Sequence, residues 1–216
     1  MMTPALRRLT FTTHITSSVG WVGAVIAFLA LAVIGCTSED QVKVRGAYLL
    51  MAPAAWFVLV PLAHASLLSG IALSVGTSWG LFRHYWVVLK LGITVFATVI
   101  LLIYMGTFRQ MAGVAADPVV NLEVVRNASP IVHSILALIL LIAATVLGVY
   151  KPFGITPYGA RKHGVHRQAA PSITLASAAS RVGPDSPARW TYLLALAIGI
   201  VSLFVYLHFM SNSPRH

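Results

Sequence analysis

Long stretches without a single charged side chain divide this chain, and they decide its fold class. They run over 9–38, 46–82, 91–108, 127–150 and 190–214. About 20 apolar residues at roughly 1.5 Å each cross a bilayer's hydrocarbon as a helix. Each stretch is long enough. The second exceeds one crossing and is read as one long helix followed by the turn Gly76 to Gly80. With 58% hydrophobic and 9% charged residues, the 216-residue chain is too apolar for a water-soluble domain. The expectation is an all-α, polytopic membrane helical bundle. Residues 1–150 form a four-helix transmembrane core, 151–189 a basic flexible cytoplasmic linker, and 190–216 a fifth transmembrane helix with a short outer tail.

The net charge of +10 matters through where it falls. Arg7, Arg8, Arg83, Lys90, Lys151, Arg161, Lys162, Arg167, Arg181 and Arg189 share the side of the N-terminus, where Asp185 is the only acid. Lys43, Arg45, Arg109, Arg126 and Arg215 fall on the other side with Glu39, Asp40, Asp117 and Glu123. Short basic loops stay cytoplasmic, which predicts an inner N-terminus and an extracytoplasmic C-terminus in a bacterial cytoplasmic membrane. The basic linker reads as attracted to anionic lipid headgroups, with no nucleic-acid partner expected. Cys36 is the single cysteine, which excludes an intrachain disulfide and a cysteine zinc cage. It ends a run resembling a lipoprotein signal, but that run is long, holds a histidine and precedes four more spans, so lipidation is not expected.

The helices are expected near 11–35, 49–75, 84–107 and 129–150. Pro61 predicts a kink, because it frees the carbonyl of Phe57 within the membrane. Asp117-Pro118 predicts a short interfacial helix over 118–126. Ser17, Gly20, Ala24 and Ala27 give the first helix a small-residue face that lets a neighbouring backbone approach closely.

Histidines carry most of the candidate chemistry. His14 and Trp21 lie seven residues apart and so share one face, with Ser17, Ser18 and Phe28. That face suits either packing or a flat aromatic cofactor. His64, one turn after Pro61, falls near mid-membrane, where an ionisable group is a functional candidate by default. Its alternative is a neutral ring bonding a backbone carbonyl. His133 lies in the first turn of the fourth helix, and His84 beside Arg83 at the inner end of the third. Arg83, Trp86, Lys90 and Thr94 fall near one stripe, so Lys90 either snorkels to the surface or meets an anion such as a haem propionate or a lipid phosphate. By depth His14 matches His84, whereas His64 and His133 differ by about 7–15 Å.

The pattern His14-x6-Trp21-x-Gly23, with Trp86-x3-Lys90-Leu91, resembles the copper-resistance-D-like superfamily, which includes haem-binding membrane protoporphyrinogen oxidases. More closely, 79–86 (WGLFRHYW) and 150–159 (YKPFGITPYG) resemble a bacterial family of integral membrane proteins of unknown function. The distant resemblance implies haem b, with His14 as a ligand and Trp21, Trp86 and Lys90 around it. The chain departs from the four-helix oxidases in its long outer loop, basic linker and fifth helix, so protoporphyrinogen oxidation is not carried over. Three functions stay open at this point. One is haem b binding and electron transfer with His14 paired to His64, His84 or His133. Another is non-catalytic assembly with lipids, a membrane protein or a second copy. The last is copper or small-solute transport through His64.

Overall fold

The computed structural model describes residues 2–77, 80–151 and 154–161. The fifth span and most of the basic linker lie outside the described residues. The chain divides into a unit over 1–156 and a second over 157–216, of which residues 157–161 are described and helical. In the first unit, α1 spans Pro4–Thr37, α2 Gln41–Ala54, α3 Val60–Gly76, α4 Tyr85–Ala116 and α5 Ser129–Tyr150. A five-residue π turn, Ala55–Leu59, joins α2 to α3 into one continuous span. Among the described residues four helices are therefore long and apolar enough to cross a membrane.

Local chemistry sets these boundaries. Thr3 caps α1, accepting from the Leu6 amide at 3.4 Å, and Pro4 occupies a position where no amide partner is required. Asp40 caps α2 through the Val42 amide at 2.9 Å. Pro61 does not end the helix at the level where a kink was expected. Its ring would collide with the carbonyl one α-turn back, and the π turn just before it widens the helix, the Val60 amide reaching Ala55 five residues earlier. The expected interfacial helix over 118–126 is instead one 3-10 turn, Leu122–Val124, capped by Asn121. The cause lies in Leu122 and Val125, which are buried in the protein core and so tie the loop down.

Helix length explains where that core sits. At 34, 36 and 32 residues, α1, α2–α3 and α4 run to roughly 50 Å, against about 30 Å of hydrocarbon. The 22-residue α5 only just spans it. Its first residue, Ser129, hydrogen-bonds Tyr104, so α4 continues for roughly 18 Å past the start of α5. Val44, Tyr48, Met51, Met111, Ala115 and Leu122 are almost wholly buried in this extension. Apolar faces beyond the hydrocarbon must be covered against water, whereas lipid covers those within it.

Two arginines close the extended end. Arg45 donates to the carbonyls of Ala115 at 2.7 Å, Asp117 at 2.5 Å and Val120 at 3.4 Å, satisfying the last turn of α4. Arg126 does the same for α1 through the carbonyls of Cys36 and Ser38, while pairing with Glu123. Cations on this end therefore serve the backbone.

The opposite end is tied differently. The Thr156 amide donates to the Arg83 carbonyl at 2.9 Å, the Thr156 hydroxyl to the Phe82 carbonyl at 2.5 Å, and the Tyr85 amide to Gly154 at 3.4 Å. His84 and Ile155 form an isolated antiparallel bridge. The segments that carry the closer resemblance thus meet in space, because residues 154–156 pair along the chain entering α4.

The Asp40 cap gives a pH-dependent expectation. Bonds from the Val42 amide first, then from Lys43, hold its carboxyl below the ordinary 3.8. A depressed folded value means that the stabilisation is present above the ordinary range and lost as pH falls through the folded value. Asp40→Ala is therefore expected to lower the thermal midpoint near neutral pH, with the difference closing as the pH falls through the depressed value of the folded carboxyl. Thermal unfolding across that range checks it.

Candidate functional site

At the end opposite the arginine clamps, α1, α3, α4 and α5 enclose a cavity of about 560 Å³. Its upper wall is apolar, with Phe11, Leu67, Leu73, Val87 and Leu91. Its polar wall carries Arg7, Arg8, Lys90 and Lys151, together with His14, Ser66, Ser74, Thr77 and Thr94. Among the described residues no carboxylate lines it. Trp86 supplies an aromatic face between the two regions of the lining.

His14 anchors the polar wall. Its Nδ1–H donates to the Ser66 carbonyl at 3.0 Å and also approaches the Ser69 hydroxyl oxygen at 3.2 Å. The Ser69 hydroxyl hydrogen is directed to the Ala65 carbonyl at 2.5 Å, so its oxygen is free to accept. On the other side of the ring, the Lys90 ammonium lies 3.3 Å from Nε2. A carbonyl oxygen can only accept and an ammonium can only donate. These partners fix the tautomer: Nδ1 carries the proton and Nε2 presents its lone pair to Lys90. One imidazole thereby links α1, α3 and α4.

Small residues make room for this arrangement. A Cβ on Gly70 would sit 3.0 Å from His14 Cε1, and one on Gly148 would sit 3.0 Å from Lys90 Nζ. The glycines let α3 and α5 come against the two polar heads without displacing them. Ser17 is buried and donates to the Thr13 carbonyl at 2.8 Å, while Ser18 and Ser66 join by their hydroxyls at 2.8 Å. A Cβ on Gly20 would lie 3.3 Å from Leu62. Gly20, within the small-residue face of α1, is therefore packed against α3 of the same chain.

The expected site residues fall in several places. His14, Trp86 and Lys90 line the cavity together. Trp21 is buried deeper along α1, 3% exposed, in the core with Val25 and Phe28. Arg83 and His84 lie in the turn that leads into α4; His84 caps that helix through its carbonyl, and its ring is 6.4 Å from that of Trp86. His64 donates from Nδ1 to the Val60 carbonyl of its own helix at 2.8 Å, the first residue after the π turn. His133 is at the other end of the bundle, its ring stacked 4.3 Å from Tyr104 and Nδ1 donating to the Ser129 carbonyl at 2.8 Å. Among the described residues no group of three or more His, Cys, Asp or Glu is gathered as metal ligands. Arg7, Arg8, Lys151, Ser66 and Ser69 are part of the site without having been singled out by sequence, although Arg7, Arg8 and Lys151 were counted on this side. The AS-x2-SG run at 65–70 carries only a faint signal of small polar residues on an otherwise apolar helix.

Compared with known proteins, the chain matches no family model, no curated protein and no solved structure.

Filling the glycine space is expected to break the pair. Gly70→Leu should drive the imidazole away from Ser66 and destabilise the protein by about 1–3 kcal/mol, the usual cost of overpacking. Gly92→Ala, where no atom lies within 4 Å, is the control and should leave stability unchanged or slightly raised. Thermal unfolding of both variants in the same detergent makes the comparison.

Proposed function

We propose that this chain is a multi-pass integral membrane protein that binds an anionic amphiphile at its basic end. One observation carries the reading: among the described residues, Arg7, Arg8, Lys90 and Lys151 line the cavity together with apolar side chains, and no acid does. Lys90 is partly buried, where holding a charge is costly, and a bound anion would offset that cost. The apolar wall favours a ligand that brings hydrocarbon with it. The positive charge of the short loops supports reading this end as the cytoplasmic side of a bacterial inner membrane, near the inner leaflet's headgroups. Binding, without a chemical step, accounts for every side chain in the wall.

Haem b, an amphiphile with two carboxylates, is the second reading, and the orientation of His14 favours it. A ligating imidazole ordinarily donates its other N–H to a carbonyl or carboxylate, as His14 does to Ser66. His14 would then hold the iron, with Lys90, Arg7 and Arg8 available to the carboxylates and Trp86 to the ring. His64, His84 and His133 do not line this cavity. With haem bound, the group would supply one-electron chemistry. Transport through His64 has no comparable support, since His64 does not line this cavity.

Two measurements on protein purified from cells separate these readings. Mass spectrometry of co-purified lipid is expected to show enrichment of anionic species over the bulk membrane. Lys90→Met should reduce that enrichment by roughly tenfold or more, the worth of one hydrogen bond to a charged group. Recovery of lipid in bulk proportions by the wild type would overturn the lipid reading. A Soret band that is lost in His14→Ala would establish haem instead.

A further inference from the structure

His64 has no part in the cavity, yet it stands deep in a span. Measured back along α3 from its last residue, Gly76, it lies about 18 Å away, roughly midway through some 30 Å of hydrocarbon. Its Nδ1 donates to the Val60 carbonyl at 2.8 Å. A carbonyl only accepts, so the neutral ring keeps its lone pair on Nε2. Among the described residues nothing hydrogen-bonds to that nitrogen, and the bundle does not enclose it.

The side of the helix on which it stands is open. α3 packs against α1 and α4, and Pro61, His64 and Leu68 follow one another at helical spacing along its free side, with Phe57 one turn before them. Phe57 is 81% exposed and Leu68 63%. The same stripe holds a second acceptor. Pro61 has no amide, so the carbonyl of Phe57, four residues earlier, lacks the donor that a regular α-helix supplies. Lipid tails carry no hydrogen-bond donor, and at this depth no water replaces one. A second copy meeting this face about a two-fold axis brings the same two acceptors and nothing to donate. The stripe is complemented by a helix of different sequence that carries a hydroxyl or amide at mid-membrane.

We propose that the face of α3 marked by Phe57, Pro61, His64 and Leu68 is a docking surface for a transmembrane helix of a second membrane protein, whose side-chain hydroxyl or amide donates to His64 Nε2. Phe57 and Leu68 pack on that helix on either side of the bond. The surface rests on the multi-pass reading of the chain and is independent of any ligand in the cavity.

The test places photoreactive benzoylphenylalanine at Leu68 of the full-length chain in its native membrane, with the same label at Ile142, on an exposed part of α5, as the control. Irradiation is expected to give one product heavier than the chain from position 68 and none from 142. The joined peptide should come from an apolar span of the captured protein, within one turn of a hydroxyl or amide side chain. His64→Leu should lower the yield about three- to tenfold, the worth of one hydrogen bond between membrane helices. Replacing the donor in the captured protein by Ala should lower it equally, and the two changes together no further than either alone. The donor replacement is made against wild-type His64, so it stands even if His64→Leu fails to fold. A yield that ignores both substitutions overturns His64 as the recognised group. Capture of a second copy, or a cross-link closed within one chain, overturns the separate partner. No product from position 68 overturns the docking surface. Alkaline extraction of the same membranes, which leaves a spanning chain in the pellet, checks the multi-pass reading separately, and release of the chain would overturn both.

Discussion

A single imidazole ties the cavity end of the bundle together. His14 on α1 donates to the main chain of α3 at Ser66 and accepts from Lys90 of α4, so one side chain satisfies polar groups on both neighbours. In hydrocarbon or at its edge, an unsatisfied donor or acceptor is expensive because no water replaces the missing partner. The helices are therefore fixed in register around this ring. Gly70 and Gly148, whose missing side chains leave the polar heads their space, belong to the same constraint. The cavity and its excess of positive charge follow from it, since Lys90 is held inward beside His14 and is not left to extend along the surface.

The two ends of the bundle use their cations in opposite ways. At the extended end, Arg45 and Arg126 are spent on the last carbonyls of α4 and α1, groups that every helix leaves open. Those guanidiniums are structural, and the surrounding core of Tyr48, Met51 and Leu122 is packed like that of a soluble protein. At the other end Arg7, Arg8, Lys90 and Lys151 line a cavity to which no carboxylate among the described residues contributes. The proposed ligand site is at that end.

Much of this was legible in the sequence, for physical reasons that can be named. Apolar length alone predicts five spans, of which four fall within the described residues and are seen there, and the side on which Arg7, Arg8, Lys90 and Lys151 gather follows from counting charges between spans. Helical periodicity correctly put His14, Ser17, Trp21 and Phe28 on an inward face, and put Trp86, Lys90 and Thr94 on a shared stripe. Partnership between stripes was not legible. Depth matching pointed to other histidines for His14, and the nearest ring-nitrogen partner in α4 is a lysine. Periodicity within one helix says nothing about its rotation against the next, which Gly70, Gly148 and the serines of α3 set. The extent of α1, α2 and α4 beyond the hydrocarbon was also hidden, because charged residues such as Arg45 and Arg109 break an apolar run without breaking a helix. The π turn before Pro61 is a further case: the proline signals a disturbance, but how the helix absorbs it depends on packing.

The most direct test of this picture is the tautomer of His14, read by ¹⁵N NMR of protein labelled at its histidine ring nitrogens, with His14→Phe to assign the resonances. A neutral ring protonated at Nδ1, whose Nε2 resonance moves when Lys90 is replaced by Met, is the expected result. A ring protonated at Nε2, or one insensitive to Lys90→Met, would contradict the bridge between α3 and α4 on which the site depends.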